Sequence, residues 1–449
     1  MTLDTNWDAI GREAADILSR YIRIDTSNPP GGEANAALFL AELLSREGIE
    51  SQTHEPAPER VNLVARFGGP GTAARKPLLL MHHMDVVPAV SSSWQVPPFA
   101  GELRDGYVWG RGAIDDKGLG TIHLMAFILM KRLGIRLDRE LIFMAVADEE
   151  EGGALGARWM VENHWPAVEC EYVWDEGGTG SQGIIGRSPV FAVSVSEKTS
   201  MVVTLTATGI GGHGSMARGT PVDRLVSALL AVRRIKSGMR FDEVTKEFFR
   251  RVAETQPAPV SWVVRRAGNP VFRPVVSRAA RKSPVIDAML RDTITTTVVQ
   301  AGGKANVAAD EASAILDVRL LPSTDPGRFL EELRSAIDDD GVTVEALETV
   351  PSPPPSPMDS ALFRAFERAV STHVPGAITT PIQTPVATDS RFFRPLGVKA
   401  YGLLPAVMTA EDLETIHGAN ERISLDNLTL GVKIAADVVR EVCSTVSLR

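Results

Sequence analysis

Two apolar runs in the first third of the sequence end in ionisable side chains, and this pattern limits the folds open to the chain. The run LLLM leads into His83 and Asp85, and the run LIFMAVA leads into Glu149 and Glu150. A buried strand that ends in such residues delivers them to the open edge of an α/β sheet, where ligands of these folds bind. We therefore expect a polar site at one sheet edge, and its residues must carry the functional argument.

Length and charge narrow the class of protein. A chain of 449 residues is too long for one core, so two domains are expected. A net charge of −9 argues against nucleic acid as a partner. Only Cys170 and Cys443 are present, which is compatible with a reducing cytoplasm. The N-terminus has no apolar signal core, and the longest apolar run, residues 118–130, is too short to span a membrane. We expect a soluble, cytoplasmic protein without a membrane partner.

Apolar periodicity predicts an α/β main domain with a mixed or parallel sheet flanked by helices. Helices are expected over residues 7–22, 34–47, 117–133 and 155–164, with short β-rich runs between them. After the proline segment 351–357, which is too stiff for helix or central strand, the same pattern returns. There we expect helices over 359–371 and 426–443, and strands near 379–383 and 398–403.

A different pattern lies between these two parts. The runs SMVVTLTATG, TITTTVV and ASAILDVRLL predict antiparallel strands with one exposed face, accompanied by helices over 221–237 and 326–338. The sequence thus predicts a discontinuous main domain, residues 1–197 and 351–449, with a smaller α+β insert at 198–350.

The motif MHHMDVVP contains the first candidate ligand. In an extended segment His83 and Asp85 share a face, while His82 points the opposite way. His83 is therefore the better metal ligand, and Asp85 can accept the second N–H of its imidazole. A buried histidine paired with a structural carboxylate is an equally good interpretation of this motif alone.

Acidic residues supply the other candidates. In WGRGAIDDKG, two glycines permit a turn that presents Asp115 and Asp116 before a helix, and a carboxylate there can bridge two cations. A helix N-terminal aspartate is the alternative, which we favour for Asp116. In DEEEGG, one glutamate can bind metal while its neighbour acts on water. Glu176 in WDEGG follows a strand in the same way, whereas a solvated loop is the alternative for such acidic runs.

Together with His417 of IHGANERI, these residues form a plausible ligand set. His83, Asp115, Glu150, Glu176 and His417 supply two imidazoles and three carboxylates. Such donors suit zinc, with cobalt or manganese possible. If one carboxylate is shared, each of two metal ions has three protein ligands and room for water, as in catalytic sites.

Over nearly its whole length the sequence resembles the M20 metallopeptidases, which include aminoacylase-1, carboxypeptidase G2 and the Gly-X carboxypeptidases. The resemblance rests on MHHMDVVP, WGRGAIDDKG, DEEEGG, DEGG, GGHGSMA, NVAADEASAILDVRLLP, TDSRFF and HGANERI. It implies an α/β zinc-peptidase domain, residues 1–197 and 351–449, carrying a lid and dimerisation domain at 198–350.

The resemblance also implies roles for the ligand set. His83 and Glu176 would hold one zinc ion, Glu150 and His417 the other, and Asp115 would bridge them. Glu149 would be the general base, with Asp85 as a further catalytic residue. A cis peptide bond is expected after Asp115.

In the insert, the resemblance assigns His213 to the active site of the partner subunit in a homodimer. Asn306, Arg319 and Thr388 would bind substrate. Arg319 would pair with a free carboxylate of the substrate. A lid-surface histidine and a strand-face ion pair are the alternatives for His213 and Arg319. The sequence departs from the family at His82 and at 386–387, where the family usually has glycines. Residues 238–292 exceed the compact lid of shorter relatives, and we expect the six basic residues from 265 to 282 to form a solvated surface.

The function implied is hydrolysis of the amide bond of N-acyl amino acids or of C-terminal peptide bonds, which releases an amino acid. Water activated between two zinc ions would be the nucleophile. Two alternatives stay open: a dipeptidase or aminopeptidase that recognises a free α-amino group, and an inactive metal-containing binding protein. Intact Glu149 and Glu150 argue against the inactive form.

Overall fold

The computed structural model describes residues 5–68, 75–183 and 188–444. Within these ranges the chain forms seventeen strands and fifteen α-helices. The strands are β1 (Ser51–Ala57), β2 (Arg60–Phe67), β3 (Leu78–His83), β4 (Glu102–Arg104), β5 (Tyr107–Trp109), β6 (Leu141–Val146), β7 (Tyr172–Ser181), β8 (Val190–Glu197), β9 (Thr199–Thr208), β10 (Gly212–His213), β11 (Thr293–Ala301), β12 (Val307–Ala308), β13 (Glu311–Leu320), β14 (Val342–Val350), β15 (Ile378–Thr384), β16 (Lys399–Met408) and β17 (Arg422–Ser424). The helices are α1 (Trp7–Ile22), α2 (Ala34–Arg46), α3 (Lys117–Arg132), α4 (Ala157–Asn163), α5 (Trp165–Val168), α6 (Pro221–Val232), α7 (Glu243–Val252), α8 (Val260–Val264), α9 (Arg273–Ala280), α10 (Pro284–Leu290), α11 (Pro326–Ile337), α12 (Ala361–His373), α13 (Ser390–Phe393), α14 (Ala410–Glu414) and α15 (Leu425–Cys443).

Eight strands form a large sheet in the order β1-β2-β6-β3-β7-β16-β8-β15. β3 runs parallel to both β6 and β7, and β7 runs parallel to β16. β2 is antiparallel to β1 and to β6, so the sheet is mixed, as predicted. The apolar runs of the sequence fill β3 and β6, in which every residue is buried. Continuous apolar strands of this kind belong to sheets covered on both faces.

Helices cover both faces of the large sheet and confirm the predicted α/β architecture. On one face α1, α3, α12 and α15 pack together, and α3 is buried from Lys117 to Met130. On the other face α4, α5 and α13 contribute Met160, Val168 and Phe393 to a second apolar cluster. None of the helices in the described parts of the chain combines the length and hydropathy needed to cross a bilayer.

A second, smaller sheet has four antiparallel strands in the order β11-β13-β9-β14. Along β9, buried residues alternate with partly exposed ones because only one face of this sheet is covered. α6 and α11 cover that face, and their Leu225 and Leu333 lie in one cluster with Val203 and Leu316 of the sheet. The antiparallel strands predicted for this region are confirmed.

The extension at residues 238–292 folds into α7 to α10 and attaches to the large sheet. Phe248 of α7 and Leu290 of α10 lie in one apolar cluster with Val190 of β8 and Ile382 of β15. β15 is the edge strand of the large sheet, and α7 packs on it. The extension therefore covers a strand edge of the large sheet, although the chain enters it from the small one. Its six basic residues between 265 and 282 are exposed, as predicted.

The chain passes between the two sheets at two points. β8 ends at Glu197 in the large sheet, and β9 begins at Thr199 in the small one. β14 ends at Val350 in the small sheet, and the proline segment that follows leads back through α12 to β15 of the large sheet. This placement supports the division that we propose after residues 197 and 350. The ends of the proposed main domain, residues 1–4 and 445–449, lie outside the described residues.

Two predicted helices are longer than the helices observed. The prediction over 155–164 is replaced by α4 and α5, since His164 leaves the helical conformation with φ −132° and Pro166 opens the second helix. The prediction over 221–237 extends beyond α6, which ends at Val232. The hydroxyl of Ser237 accepts a hydrogen bond of 2.8 Å from the backbone N–H of Asp292, which holds this segment against the start of β11.

Candidate functional site

The polar residues predicted from the apolar runs meet at one edge of the large sheet. His83 is the last residue of β3, Glu150 lies in a 3₁₀ turn after β6, and Glu176 lies in β7. Because β3 is parallel to both neighbours, the three strands deliver these residues to the same edge. Asp115, on the turn before α3, and His417, on the turn after α14, approach the edge from loops.

Asp115 lies between the two histidines. Its Oδ1 atom is 3.0 Å from Nε2 of His83, and its Oδ2 atom is 3.0 Å from Nε2 of His417. His417 also lies 3.3 Å from Oε2 of Glu150 through the same nitrogen. The two oxygens of one carboxylate thus face different imidazoles, which is the geometry of a bridging ligand.

The five predicted ligands fall into two overlapping sets. Ligand atoms of His83, Asp115 and Glu176 all lie within 4.8 Å of one another, and so do those of Asp115, Glu150 and His417. Each set could hold one metal ion, and Asp115 belongs to both. This grouping matches the arrangement that the family resemblance implies, with three protein atoms for each ion.

The chemistry of these atoms fits cations. Nδ1 of His83 donates to the backbone carbonyl of Asp85 over 2.9 Å, so Nε2 of the neutral ring carries a lone pair. That lone pair faces an oxygen of Asp115, and two acceptors in contact need a proton or a metal ion between them. Oε1 of Glu150 is buried and has no hydrogen-bond partner among the described residues. Nitrogen and carboxylate oxygen atoms in this ratio suit zinc or a similar divalent ion.

Electrostatics support the same conclusion. Burial, together with the carboxylates of Asp115 and Glu149, raises the pKa of Glu176 well above its usual value. Hydrogen bonds to Asp115 and Glu150 raise the pKa of His417 to about 10. Both shifts express a shortage of positive charge, because three carboxylates converge on two imidazoles. Two divalent cations would supply that charge.

Asp85 orients the glutamate turn. Its two carboxylate oxygens each accept a hydrogen bond of 3.1 Å, one from the backbone N–H of Glu149 and one from that of Glu150. The side chain of Asn28 donates to the same carboxylate over 2.9 Å. The acceptor nearest to Nδ1 of His83 is the backbone carbonyl of Asp85, whereas the carboxylate lies 3.6 Å away. We expected the carboxylate of Asp85 to accept this N–H, but the hydrogen bond goes to the main-chain carbonyl of Asp85.

Glu149 precedes the ligand Glu150 and belongs to neither ligand set. Its side chain is partly exposed. Burial of the remainder raises the pKa of Glu149 well above its usual value against the effect of His83, and the carboxylates of Asp389 and Glu150 add to the rise. A carboxyl group whose pKa is raised holds a proton more readily, so it can accept a proton and later donate it.

The turn that carries Asp115 has the predicted cis peptide bond between Asp115 and Asp116. Asp116 occupies the N-cap position of α3, but its side chain makes no capping hydrogen bond, so the capping role that we favoured is wrong in this respect. The side chain is buried, and its Oδ2 atom has no partner among the described residues.

Glu421 is a site residue that the sequence did not single out. Its buried carboxylate accepts hydrogen bonds from the backbone N–H groups of Ile114 (2.8 Å) and Asp115 (3.0 Å). It also accepts from Gly112 over 3.0 Å and from the guanidinium of Arg111 over 2.6 Å. The available signal was that Glu421 lies in the motif HGANERI, four residues after His417.

A buried network supports the glutamate turn from the other side and was also missed. Asp148 adopts a left-handed conformation with φ 72°, which is costly for a residue with a side chain. Its carboxylate accepts hydrogen bonds from Arg60 over 2.8 Å and from the backbone of Leu155 over 3.0 Å. Arg60 also pairs with the buried Glu33. The only sequence signal was that Asp148 is the first residue of DEEEGG, since Arg60 and Glu33 are remote in the chain.

Two predicted lid residues lie next to each other on the insert. His213 pairs with Val307 across the short β10–β12 ladder, and the backbone carbonyl of Asn306 accepts a hydrogen bond of 2.9 Å from Gly214. His213 and Asn306 are exposed. Within the described residues, no hydrogen bond or ion pair joins either side chain to the five predicted ligands.

The two other predicted substrate residues have protein partners. Nε of Arg319 donates to Asp317 over 2.8 Å, so the strand-face ion pair offered as the alternative is present, and the side chain is 29% exposed. Thr388 is buried, and its hydroxyl and backbone N–H both donate to the carboxylate of Glu197. A direct contact of the Thr388 hydroxyl with substrate therefore does not agree with this structure, because Glu197 already accepts its hydrogen bond.

Comparison with known proteins agrees with this geometry. The family described as Peptidase family M20/M25/M40 matches residues 79–441. The chain is 32% identical over 374 residues to the N-fatty-acyl-amino acid synthase/hydrolase PM20D1 of Xenopus tropicalis, covering 81% of this chain and 72% of that protein. It is 27% identical over 436 residues to aminoacylase-1A of Rattus norvegicus, covering 96% of each.

A solved structure shows the same fold. The M20 family metallo-carboxypeptidase Sso-CP2 from Sulfolobus solfataricus superimposes with a TM-score of 0.73 at 18% identity, covering 96% of this chain and 99% of that one. Sequence and fold therefore agree over most of the chain, which belongs to the peptidase family M20/M25/M40 and is a hydrolase.

Proposed function

We propose that this protein hydrolyses the amide bond of N-acyl amino acids, or of peptides with a free C-terminal carboxylate, and releases an amino acid. The observation that carries the proposal is the pair of ligand sets that share Asp115 beside Glu149. The similar relatives include a fatty-acyl-amino acid hydrolase and an aminoacylase, and the similar structure is a carboxypeptidase.

Each ligand set would hold one ion: His83 and Glu176 one of them, Glu150 and His417 the other, with Asp115 shared. Zinc suits these donors, and cobalt or manganese are the alternatives. When bound, two divalent cations supply the positive charge that lowers the pKa of water and offsets negative charge on a carbonyl oxygen.

The protein residues move the proton. Glu149 accepts a proton from the attacking water while the oxygen of that water forms a bond to the amide carbon. The carbon–nitrogen bond then breaks. Glu149 delivers the same proton to the leaving nitrogen, so that an amino acid and a carboxylic acid are released. Asp85 holds the backbone of Glu149 and Glu150 in place, because its carboxylate accepts hydrogen bonds from both of their N–H groups.

Substrate recognition involves the insert. The guanidinium of Arg319 is partly exposed and keeps donors beyond the Nε group used by Asp317, so it can bind the free carboxylate of a substrate. Asn306 is the second lid residue of this proposal. Thr388 acts indirectly by packing beside Gly177, one residue after the ligand Glu176. Val386, which is exposed, stands two residues before Thr388 where the family usually has glycine. Its side chain would narrow the space beside the substrate.

A homodimer through the small sheet is part of the proposal. β11 is an edge strand of that sheet and is exposed along most of its length, including Val298 and Val299. An exposed apolar edge is a template for pairing with a second chain. His213 would then enter the active site of the partner and stabilise negative charge on the carbonyl oxygen. For the compartment we retain the cytoplasm, supported by the free thiols of Cys170 and Cys443.

A substrate panel tests the proposal. The zinc-loaded protein should cleave N-acetyl and longer N-acyl amino acids, while matched substrates with an amidated carboxyl group should react at least about tenfold more slowly, the loss expected from one charged contact. Cleavage restricted to dipeptides with a free α-amino group would favour the dipeptidase or aminopeptidase alternative. No cleavage of any amide at full metal loading would favour an inactive binding protein.

A further inference from the structure

The extension at 238–292 presents apolar side chains to solvent on its α8 to α9 part. Trp262 is 53% exposed, Val271 76% and Val275 60%. The ring of Trp262 packs against Phe272 with centroids 5.1 Å apart, which joins α8 to the start of α9. Isolated exposed apolar residues are common, but an exposed tryptophan beside exposed valines is a patch that needs a reason.

The same part of the chain is strongly basic. Between Glu254 and Asp287 the sequence has no acidic residue, although the whole chain carries a net charge of −9. Its basic residues are Arg265, Arg266, Arg273, Arg278, Arg281 and Lys282, and all of them are exposed. None forms an ion pair with a carboxylate in the described ranges.

Neighbouring arginines behave differently. Arg250 and Arg251 of α7 both pair with Glu247, and Arg291 pairs with Asp287. The chain therefore neutralises the cations on both sides of this part, whereas those within it have no carboxylate partner among the described residues. Arg266 instead lies over the ring of Trp262, 4.6 Å from its centroid. A local excess of positive charge in an acidic protein is suited to an anionic partner.

Buried residues of the same segment anchor the patch to the large sheet. Ala267, Val276 and Ala280 are buried in the apolar cluster that includes Ile382 of the edge strand β15. The exposed Val275, Arg273 and Arg278 lie on the same helix, α9, as the buried Val276 and Ala280. Any surface that binds the patch is therefore coupled directly to the large sheet, rather than to the small one.

We propose that residues 260–282, named here the 260–282 surface, bind the protein to membranes that contain anionic lipids. Basic side chains near a bilayer contribute about fivefold each to affinity for anionic headgroups. Tryptophan is favoured at the boundary between headgroups and acyl chains, and valine gains from burial there. This departs from two predictions made above, a protein without a membrane partner and a merely solvated surface for these basic residues, because the charge is distributed unevenly along the chain.

A lipid surface fits these residues better than other anionic partners. A nucleic acid would engage the cations and could stack on Trp262, but it offers no apolar phase for Val271 and Val275. An acidic protein would need an apolar patch of its own opposite Trp262, Val271 and Val275, whereas a bilayer offers an apolar phase below its whole anionic surface. The combination of free cations with an aromatic and two aliphatic side chains is that of an interfacial segment.

Vesicle co-sedimentation tests the proposal on the full-length protein. Wild type should sediment with vesicles of phosphatidylcholine that contain one third phosphatidylglycerol. With pure phosphatidylcholine vesicles it should stay in the supernatant. The double variant Arg273→Gln/Arg278→Gln should bind the anionic vesicles about 25-fold more weakly. The charge-matched control Arg12→Gln/Arg328→Gln, which removes two exposed arginines elsewhere, should bind like wild type.

A second variant tests the apolar part. Trp262→Ser/Val271→Ser should reduce binding at least about tenfold. Brominated acyl chains should quench part of the tryptophan fluorescence of the wild type, and the variant, which lacks Trp262, should lose this quenching. Circular dichroism and hydrolysis of a short N-acetyl amino acid should stay unchanged in both variants, which separates membrane binding from catalysis and folding. The proposal is overturned if wild type does not bind anionic vesicles, if folded variants bind like wild type, or if a single-stranded oligonucleotide binds more tightly than the vesicles do.

Discussion

Glu421 accepts a hydrogen bond of 3.0 Å from the backbone N–H of Asp115 and so connects the loop of one predicted metal ligand to the loop of another. His417 lies four residues before Glu421 on the same loop. The buried carboxylate therefore fixes Asp115 relative to the second histidine, although Glu421 itself belongs to neither ligand set.

The variant Glu421→Gln should lose both stability and metal. The amide keeps only one acceptor oxygen, so the donors at the other position lose their acceptor, and Arg111 would stay buried without its anionic partner. We expect a loss of about 3 kcal/mol in the free energy of unfolding and weaker zinc binding. Urea unfolding and calorimetric zinc titration measure the two effects. The control Glu411→Gln, whose carboxylate pairs with Arg422 but is 78% exposed, should change stability by less than about 0.5 kcal/mol. Equal behaviour of the two variants would contradict the role of Glu421.

Asp85→Asn tests the orientation of the glutamate turn. An amide keeps only one acceptor oxygen, so one of the two backbone N–H groups of Glu149 and Glu150 loses its partner. We expect kcat/KM or zinc affinity to fall by about 10- to 100-fold. Asp105→Asn is the matched control, because Asp105 is 74% exposed and its positive φ is tolerated by asparagine. Unchanged kinetics and zinc affinity in Asp85→Asn would contradict this role of the Asp85 carboxylate.

Glu149→Gln should remove the proton carrier and leave the metal sites intact. The amide cannot accept the proton of water, so kcat should fall by about 10²- to 10⁴-fold. Elemental analysis should still find the wild-type metal content, since Glu149 belongs to neither ligand set. The neighbouring exposed Glu151→Gln is the control and should retain wild-type turnover. Near wild-type activity in metal-loaded Glu149→Gln would exclude Glu149 as the base.

Mixed subunits test the proposed contribution of His213. His213→Ala and Glu149→Ala homodimers should both be nearly inactive. In a mixed dimer, one active site would combine an intact Glu149 with an intact His213 from the other chain. Mixing the two variants should therefore restore part of the activity. Lack of recovery in mixed dimers verified by mass spectrometry would argue that no active site is shared.

The sequence predicted the parts of the site that follow from strand ends. His83, Glu150 and Glu176 come directly from apolar runs, and parallel pairing brings such residues together. Apolar periodicity did not predict that Asp115 and His417 lie near the other ligands. Only the combined set of motifs predicted it. The fold class followed from alternating strands and helices, which is the most regular signal in the chain.

The supporting residues could not be predicted in the same way. Arg60, Asp148 and Glu33 converge from three separate segments, and their pairing depends on tertiary packing. Thr388 was expected to face substrate, but a chain pattern does not reveal that Glu197 lies against it. The attachment of the extension to β15 was missed for the same reason, since its apolar residues do not specify which sheet they cover.

The position of bound metal tests the central claim most directly. Crystals grown with zinc and measured at the zinc absorption edge should show two anomalous peaks per chain. One should contact His83 and Glu176, the other Glu150 and His417, and both should contact Asp115. A single peak, or peaks away from Asp115, would contradict the account.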